Sequence, residues 1–216
     1  IAKKILLNHK IKIFGYTTQI YNIKAQSFVQ KEIEKNIVRC ADKQAAKKMI
    51  AAIERAKQNG DSLGGIIEIR VTKPPIGLGE PVFDKLDAKL AQAVMSMPAV
   101  KGVEIGSGFH SVDLTGKEHN DQLLSKNKKI GFATNNAGGI LGGISNGDDI
   151  VVRFAVKPPS SIALKQKTVT VKGKKTSVEV KGRHDPCVAP RAIPIAESMV
   201  ALTLIDFLMK QKARKI

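Results

Sequence analysis

The sequence predicts an α+β fold, and three stretches carry the prediction. Between Lys43 and Asn59 apolar residues recur at helical spacing, with Ala46, Met49, Ile50, Ile53 and Ala56 on one face. Between Ser62 and Lys73 the period drops to two, so that Ile66, Glu68 and Arg70 point one way and Ile67, Ile69 and Val71 the other. From Val188 to Gln211 the chain is apolar on most sides, which predicts a buried helix. Aromatic residues make up only 4% of the chain and Trp is absent, so Ile, Val, Leu and Ala must build the core.

The remaining elements are taken in chain order. Ile1–Leu7 reads as helix. Lys10–Ile23 carries Ile11, Ile13, Tyr16, Ile20 and Tyr21 and reads as a strand with loose ends. Gln26–Lys35 is polar and fits neither pattern. Asp42 is placed to cap the helix that starts at Lys43, and Gly60 to stop it. Pro74 and Pro75 end the strand before them. Asp84–Met97 forms a second helix, with Leu86, Leu90, Val94 and Met97 inward, and Lys101–Ile105 a short strand. Leu63–Gly106 thus runs strand, helix, strand, a compact βαβ-type unit. Ser107–Lys129 is rich in Lys, Asn, Asp and Gly and reads as a long, mobile loop. Asp149–Lys157 is a strand, and Lys167–Lys172 with Lys175–Lys181 form a hairpin around Gly173. No repeat and no internal boundary stands out, so residues 1–216 are expected to form part of a single domain.

The chain has 216 residues and a formal net charge of +17, which attracts anions: nucleic acid, acidic lipid or phosphorylated metabolites. Its lysines come as scattered pairs, with no zinc-finger spacing, helix-turn-helix or RNA-recognition motif beside them. A basic nucleic-acid-binding module is therefore the alternative reading, and a pocket for phosphates and carboxylates the first. Cys40 and Cys187 are the only cysteines, too few for a disulfide framework, which points to a reducing cytoplasm. His184 and Cys187 have metal-like spacing but no second cluster, so no metal is assigned. No apolar run reaches transmembrane length and no signal peptide is seen, so no membrane is expected as a partner.

Gly131–Ile150 reads GFATNNAGGILGGISNGDDI. This composition suits neither a helix nor a regular central strand. One reading is a glycine-rich turn between two strands. The other is a binding loop: Gly138, Gly139, Gly142 and Gly143 allow close approach, Asn135 and Asn136 can pin neighbouring turns, and main-chain N–H groups can face a phosphate or a flavin edge. The loop is no dinucleotide fingerprint, since no helical run comes after it, and no GK[ST] is present.

Two further segments could carry chemistry. Lys157 ends a strand, Pro158 and Pro159 stiffen the chain just beyond it, and Ser160 and Ser161 offer hydroxyls, a set that suits a phosphate or flavin edge as well as a plain strand terminus. Arg183-His184-Asp185 precedes the last helix. It reads as a surface pair or cap, or as a catalytic carboxylate held rigid by Pro186.

Taken in order, NNAGGILGGIS, Lys157-Pro158-Pro159-Ser160-Ser161 and Gly182-Arg183-His184-Asp185-Pro186-Cys187 resemble the chorismate synthase family. Arg191 to Met199, Gly64 to Glu68 and Pro98 to Gly102 continue the resemblance, which covers nearly the whole chain. It implies helices packed between antiparallel sheets in a β-α-β sandwich, a pseudo-twofold repeat and a homotetramer. It also implies a cytoplasmic lyase that removes phosphate from 5-enolpyruvylshikimate 3-phosphate by 1,4-anti elimination to give chorismate, using reduced FMN.

The resemblance assigns residues as well. Pro98, Ala99, Gly142, Lys157, Pro158, Pro159, Ser160, Ser161 and Arg183 would contact the flavin, Arg183 also the substrate, and Asp185 would relay a proton near flavin N5. The family's third residue in the lysine segment is usually Thr. Pro159 stands there, so any contact through that hydroxyl is lost. The family's two histidines and several substrate arginines belong to an N-terminal portion that this sequence does not show. The chain therefore resembles the C-terminal part of a longer enzyme and is expected to be inactive alone; a further alternative is that it serves only as a structural half. His9, His110, His119 and His184 match no motif and receive no catalytic role. Reduction by NAD(P)H within the enzyme and reduction by an external reductase both stay open.

Overall fold

The computed structural model describes residues 1–126 and 129–214. In chain order the elements are α1 (Ala2–Asn8), β1 (Lys12–Ile20), β2 (Ile23–Lys24), α2 (Lys43–Gln58), β3 (Gly65–Thr72), α3 (Leu86–Met95), β4 (Val100–Ile105), α4 (Gly116–His119), β5 (Leu123–Lys126), β6 (Lys129–Phe132), β7 (Ile140–Leu141), β8 (Ile144–Ser145), β9 (Ile150–Val156), β10 (Gln166–Val169), β11 (Lys175–Val178) and α5 (Ala189–Arg214). Among the described residues they form one five-stranded sheet, ordered β2-β1-β3-β9-β4, and three two-stranded hairpins, β5-β6, β7-β8 and β10-β11. The fold is α+β. Within Leu63–Gly106, β3 and β4 are not neighbours, because β9 lies between them.

The chain divides into two compact units. The first comprises residues 1–15, 68–154 and 193–216, the second 16–67 and 155–192. The division falls inside β1, β3, β9 and α5.

In the first unit, alternation along the strands buries Ile69, Val71, Ile150, Val152 and Phe154 and leaves Arg70, Val151 and Arg153 part-exposed. Leu86, Leu90 and Val94 form the buried stripe of α3, with Met97 buried in the turn beyond it. Gly15 is required on packing grounds: a Cβ there would overlap Ile69 and come within 2.8 Å of Ile193. Its N–H donates to Glu197 Oε1 at 2.8 Å, and Lys3 Nζ meets Glu197 Oε2 at 2.5 Å, so a buried carboxylate on α5 binds both β1 and α1.

Two expectations for this unit need correction. Helix α5 is not buried on most sides. Ala196, Val200, Leu204 and Leu208 are covered, but Ile195, Leu202 and Met209, each seven residues from the next, are exposed. By length and composition α5 could also cross a membrane, against the expectation that no run is long enough. Half of its most apolar stretch is buried within the chain, as in a core helix. Nor is Ser107–Lys129 one structureless loop. It holds a 3₁₀ turn at Gly108–Asp113, then α4, whose Thr115 and Glu118 form a reciprocal capping box, then β5 paired with β6. Asn127 and Lys128 of that stretch lie outside the described residues.

In the second unit, α2 begins as expected. Asp42 Oδ1 accepts N–H bonds from Gln44 (2.9 Å) and Ala45 (3.0 Å), while Oδ2 accepts from Gln26 (2.9 Å) and Ser27 (3.1 Å). One buried carboxylate thus caps the helix and pins the incoming chain. Ala46, Met49 and Ala56 are buried as predicted, whereas Ile50 and Ile53 are half-buried. The undecided stretch Gln26–Lys35 contains a 3₁₀ helix at Gln30–Lys35 whose Ile33 is buried. The β10-β11 hairpin forms in the expected place, nearly all of it exposed.

Candidate functional site

The second unit brings together two of the segments that the sequence singles out. Ser62 Oγ donates to Pro159 O at 2.6 Å, and the next residue, Leu63, donates its N–H to Pro186 O at 2.7 Å. Two adjacent residues before β3 therefore hold Lys157–Ser161 and the Arg183–Asp185 segment together. Gly64 completes the anchor, since a Cβ there would lie 2.6 Å from Val156 O and 3.0 Å from Pro158.

Within this arrangement the donors are free. Lys157, Ser160, Ser161 and Arg183 are exposed, and among the described residues their side chains form no hydrogen bond or ion pair. Pro158 is exposed and Pro159 half-buried. Asp185 is tied on one side only. Its Oδ2 meets Arg191 NH1 at 2.7 Å, and Oδ1 has no partner among the described residues. Arg191 sits in the first turn of α5. Its only signal in the sequence is its place six residues after Asp185, at the start of a helix. His184 Nε2 lies 2.9 Å from Val180 O. Cys187 is buried, and burial pushes its thiol pKa up, the opposite of what a thiolate ligand needs.

The first unit holds Pro98, Ala99 and Gly142. Pro98 is exposed in the turn between α3 and β4. Ala99 is half-buried at φ 68°, a left-handed conformation that costs a residue with a Cβ roughly 1–2 kcal/mol. Gly142 and Gly143 form the two-residue turn between β7 and β8, with φ of 60° and 85°. A Cβ on Gly142 would meet nothing within 4 Å, so this glycine faces open space.

The asparagines of the glycine-rich loop act as expected. Asn135 accepts Gly139 N–H at 2.7 Å and donates to Asp149 O at 2.7 Å, and Asn136 donates to His119 O at 3.0 Å. The loop's N–H groups, however, are largely spent inside the protein. Asn136 and Ala137 donate to the Asp121 carboxylate at 2.7 and 2.9 Å, and Gly138 donates to Asn135 O. The outer turn around Gly142 remains open to a ligand. Burial pushes Asp121 upward, but the Thr134 hydroxyl and these N–H groups outweigh it and hold its pKa low. Asp148 is raised, first by burial and then by Asp149 and Asp121.

A cleft of about 730 Å³ in the first unit was not anticipated. Glu68, Arg70 and Arg153 line it from the strands, and Asn135, Asn136 and Asp148 from the loop. Two of its cations are engaged, Arg70 with Glu68 at 2.7 Å and Arg153 with Glu104 and Gly106 O, while Lys73, also in its lining, is exposed. The alternation in β3 had placed Glu68 and Arg70 on one face. That Arg153 and the loop would join them depends on non-local pairing.

Comparison with known proteins gives concordant results. The family model described as chorismate synthase matches residues 1–209. A chorismate synthase of Roseiflexus castenholzii is 48% identical over 217 residues, covering 100% of this chain and 61% of its own. One of Trichodesmium erythraeum is 50% identical over 216 residues, covering 97% and 58%. A crystal structure of chorismate synthase superposes with a TM-score of 0.80 at 28% identity, over 97% of this chain and 60% of that one. The chain thus spans about 60% of the length of the relatives it matches.

Proposed function

Because this chain belongs to the chorismate synthase family, we infer that it serves the loss of phosphate from 5-enolpyruvylshikimate 3-phosphate that yields chorismate, with reduced FMN as cofactor. The observation that carries the reading is the Ser62–Leu63 anchor, which holds Lys157–Ser161 beside the Asp185 segment.

The residues present fit a flavin. In the second unit a lysine, two hydroxyls and an arginine stand exposed and uncommitted, the donor set that an anionic, acceptor-rich ring and its phosphate require. In the first unit, Gly142 offers backbone with no side chain in the way, and Pro98-Ala99 presents a fixed turn. Lys157, Ser160, Ser161 and Arg183 would hold a reduced FMN, which would supply electron density to the substrate and accept a hydrogen in return, so that the elimination would need no net redox change.

The chain's own residues supply binding, orientation and a proton acceptor. Lys157, Ser160 and Ser161 bind the flavin, without the hydroxyl that Pro159 replaces. Arg183 provides positive charge for flavin and anionic substrate. Asp185 uses Oδ2 to hold its place against Arg191 and keeps Oδ1 for a proton, while Pro186, fixed by Leu63, stops the segment from swinging. The chain is read as one domain, since the division between units falls inside three strands and a helix rather than in a linker. A cytoplasmic homotetramer completes the reading, with two free, buried cysteines supporting a reducing compartment.

Flavin titration tests the site. In a chain of the relatives' full length, Lys157→Ala should weaken binding by roughly 1–3 kcal/mol, the scale of a charge-assisted hydrogen bond. Arg183→Ala should weaken both flavin and substrate. If both variants titrate like the parent protein, the assigned site is wrong.

A further inference from the structure

A second groove, of about 540 Å³, lies within the second unit between the β1-β2 turn and the outer face of α2. Its size is that of a small-molecule site. The turn is two residues long, Tyr21-Asn22, with Ile20 paired to Ile23. Tyr21 adopts φ 53°, a region that bulky side chains rarely enter. Its N–H donates to Gly64 O at 3.0 Å, and its carbonyl accepts from Gln19 Nε2 at 2.6 Å, so the conformation is held from both sides. The ring is left 62% exposed at the groove. A glycine would satisfy this turn without strain. The chain instead keeps an aromatic ring here, in a conformation that favours glycine.

In the same lining, Lys48 and Arg55 stand seven residues apart on α2, on one face and about 10 Å apart along the axis. Both are exposed, and neither has an ion pair among the described residues. Ala51, Ala52 and Ala56 give the groove a small-residue floor. The groove's one acid, Asp61, accepts Ser62 N–H at 2.8 Å.

We propose that this groove binds a small planar ligand with an anionic group at each end, in its simplest form an aromatic dicarboxylate. The ring lies on the alanine floor against Tyr21, and the two carboxylates reach Lys48 and Arg55. An exposed aromatic ring and a row of methyl groups in one lining favour a flat apolar body. Two charges are required by two unpaired cations two helical turns apart, since a single anion would leave one unused. Arg55 can hold its carboxylate through two parallel N–H bonds.

The test is titration of the isotopically labelled chain with terephthalate, monitored by amide shifts. Benzoate serves as the single-anion probe and sulfate at equal ionic strength as the control for the chain's general positive charge. Terephthalate should shift the amides of Tyr21, Ala51 and Ala52 in a saturable way, and benzoate should bind at least about 10-fold more weakly, a loss of about 1.4 kcal/mol. Lys48→Ala and Arg55→Ala should each weaken terephthalate by about the same factor, while Lys47→Ala should leave it unchanged. Tyr21→Gly separates binding from folding: it should keep or raise the melting temperature, because glycine relaxes the turn, yet weaken the ligand. The proposal is overturned if terephthalate gives no saturable shift, if benzoate binds as well, if the three groove variants bind like the parent chain, or if sulfate reproduces the response.

Discussion

Gly138 and Gly142 belong to the same loop but answer to different demands. A Cβ on Gly138 would overlap the backbone of Gly106, 32 residues earlier, and neither backbone can give way. A Cβ on Gly142 would meet nothing within 4 Å. Gly142→Val should therefore cost only the backbone strain of its φ, about 1–2 kcal/mol, and leave the fold intact while blocking flavin. Gly138→Val should destabilise the protein by more. Chemical denaturation of the two variants, with a flavin titration of the first, separates these roles. The glycine pairs were plain in the sequence. Which glycine serves packing was not, because its partner Gly106 comes from a distant strand end. Ser62 was equally hidden: nothing local marks its hydroxyl as the donor to Pro159 O. Ser62→Ala should weaken flavin binding through the loosened lysine segment, and an unchanged titration would remove it as a positioning residue.

At the scale of elements, α2 was legible because its signals are local: a capping aspartate, a helical stripe and a terminal glycine. The tertiary part of Asp42's role was not. Its second oxygen receives two N–H groups from Gln26 and Ser27, in a stretch the sequence left undecided. Those N–H bonds, led by Ala45 and then Gln26, hold the Asp42 pKa down from 3.8 to about 2. A depressed folded-state pKa gives stability that is full above the unfolded value and is lost as pH falls through the folded one. Unfolding midpoints should therefore decline between about pH 4 and 2 with a component that Asp42→Asn lacks. At neutral pH that variant should cost roughly 1–3 kcal/mol, because its amide NH₂ meets two donors. Equal pH profiles for the two proteins would show that Asp42 does not carry this term. The stretch after β4 was misread for a different reason. Thr115-Gly116-Lys117-Glu118 has the spacing of a capping box, but a four-residue helix in a polar stretch has no apolar period beside it.

For the whole molecule, 36 basic against 19 acidic residues set the formal charge of +17, and the structure shows where part of it stands. Lys165, Lys167, Lys172, Lys174, Lys175 and Lys181 are all exposed on and around the β10-β11 hairpin. This hairpin joins the lysine segment to the Asp185 segment, so raised salt should weaken anionic ligands more than the Lys157 charge alone would explain. A flavin affinity insensitive to salt would count against that. The α+β class and most elements could be read from periodicity. The sheet order could not, since β9 inserts between β3 and β4 from far along the chain. The family was legible from ordered motifs; the pairing of Asp185 with Arg191 was not, because it depends on how the segment turns into α5. The central claim is that Asp185 handles a proton in phosphate elimination. The measurement that tests it most directly is steady-state chorismate formation by a chain of the relatives' full length carrying Asp185→Asn, with reduced FMN and 5-enolpyruvylshikimate 3-phosphate titrated alongside. The account predicts turnover lower by about 10²–10⁴-fold with both affinities little changed. Near-normal turnover, or a loss explained by weakened binding, would contradict it.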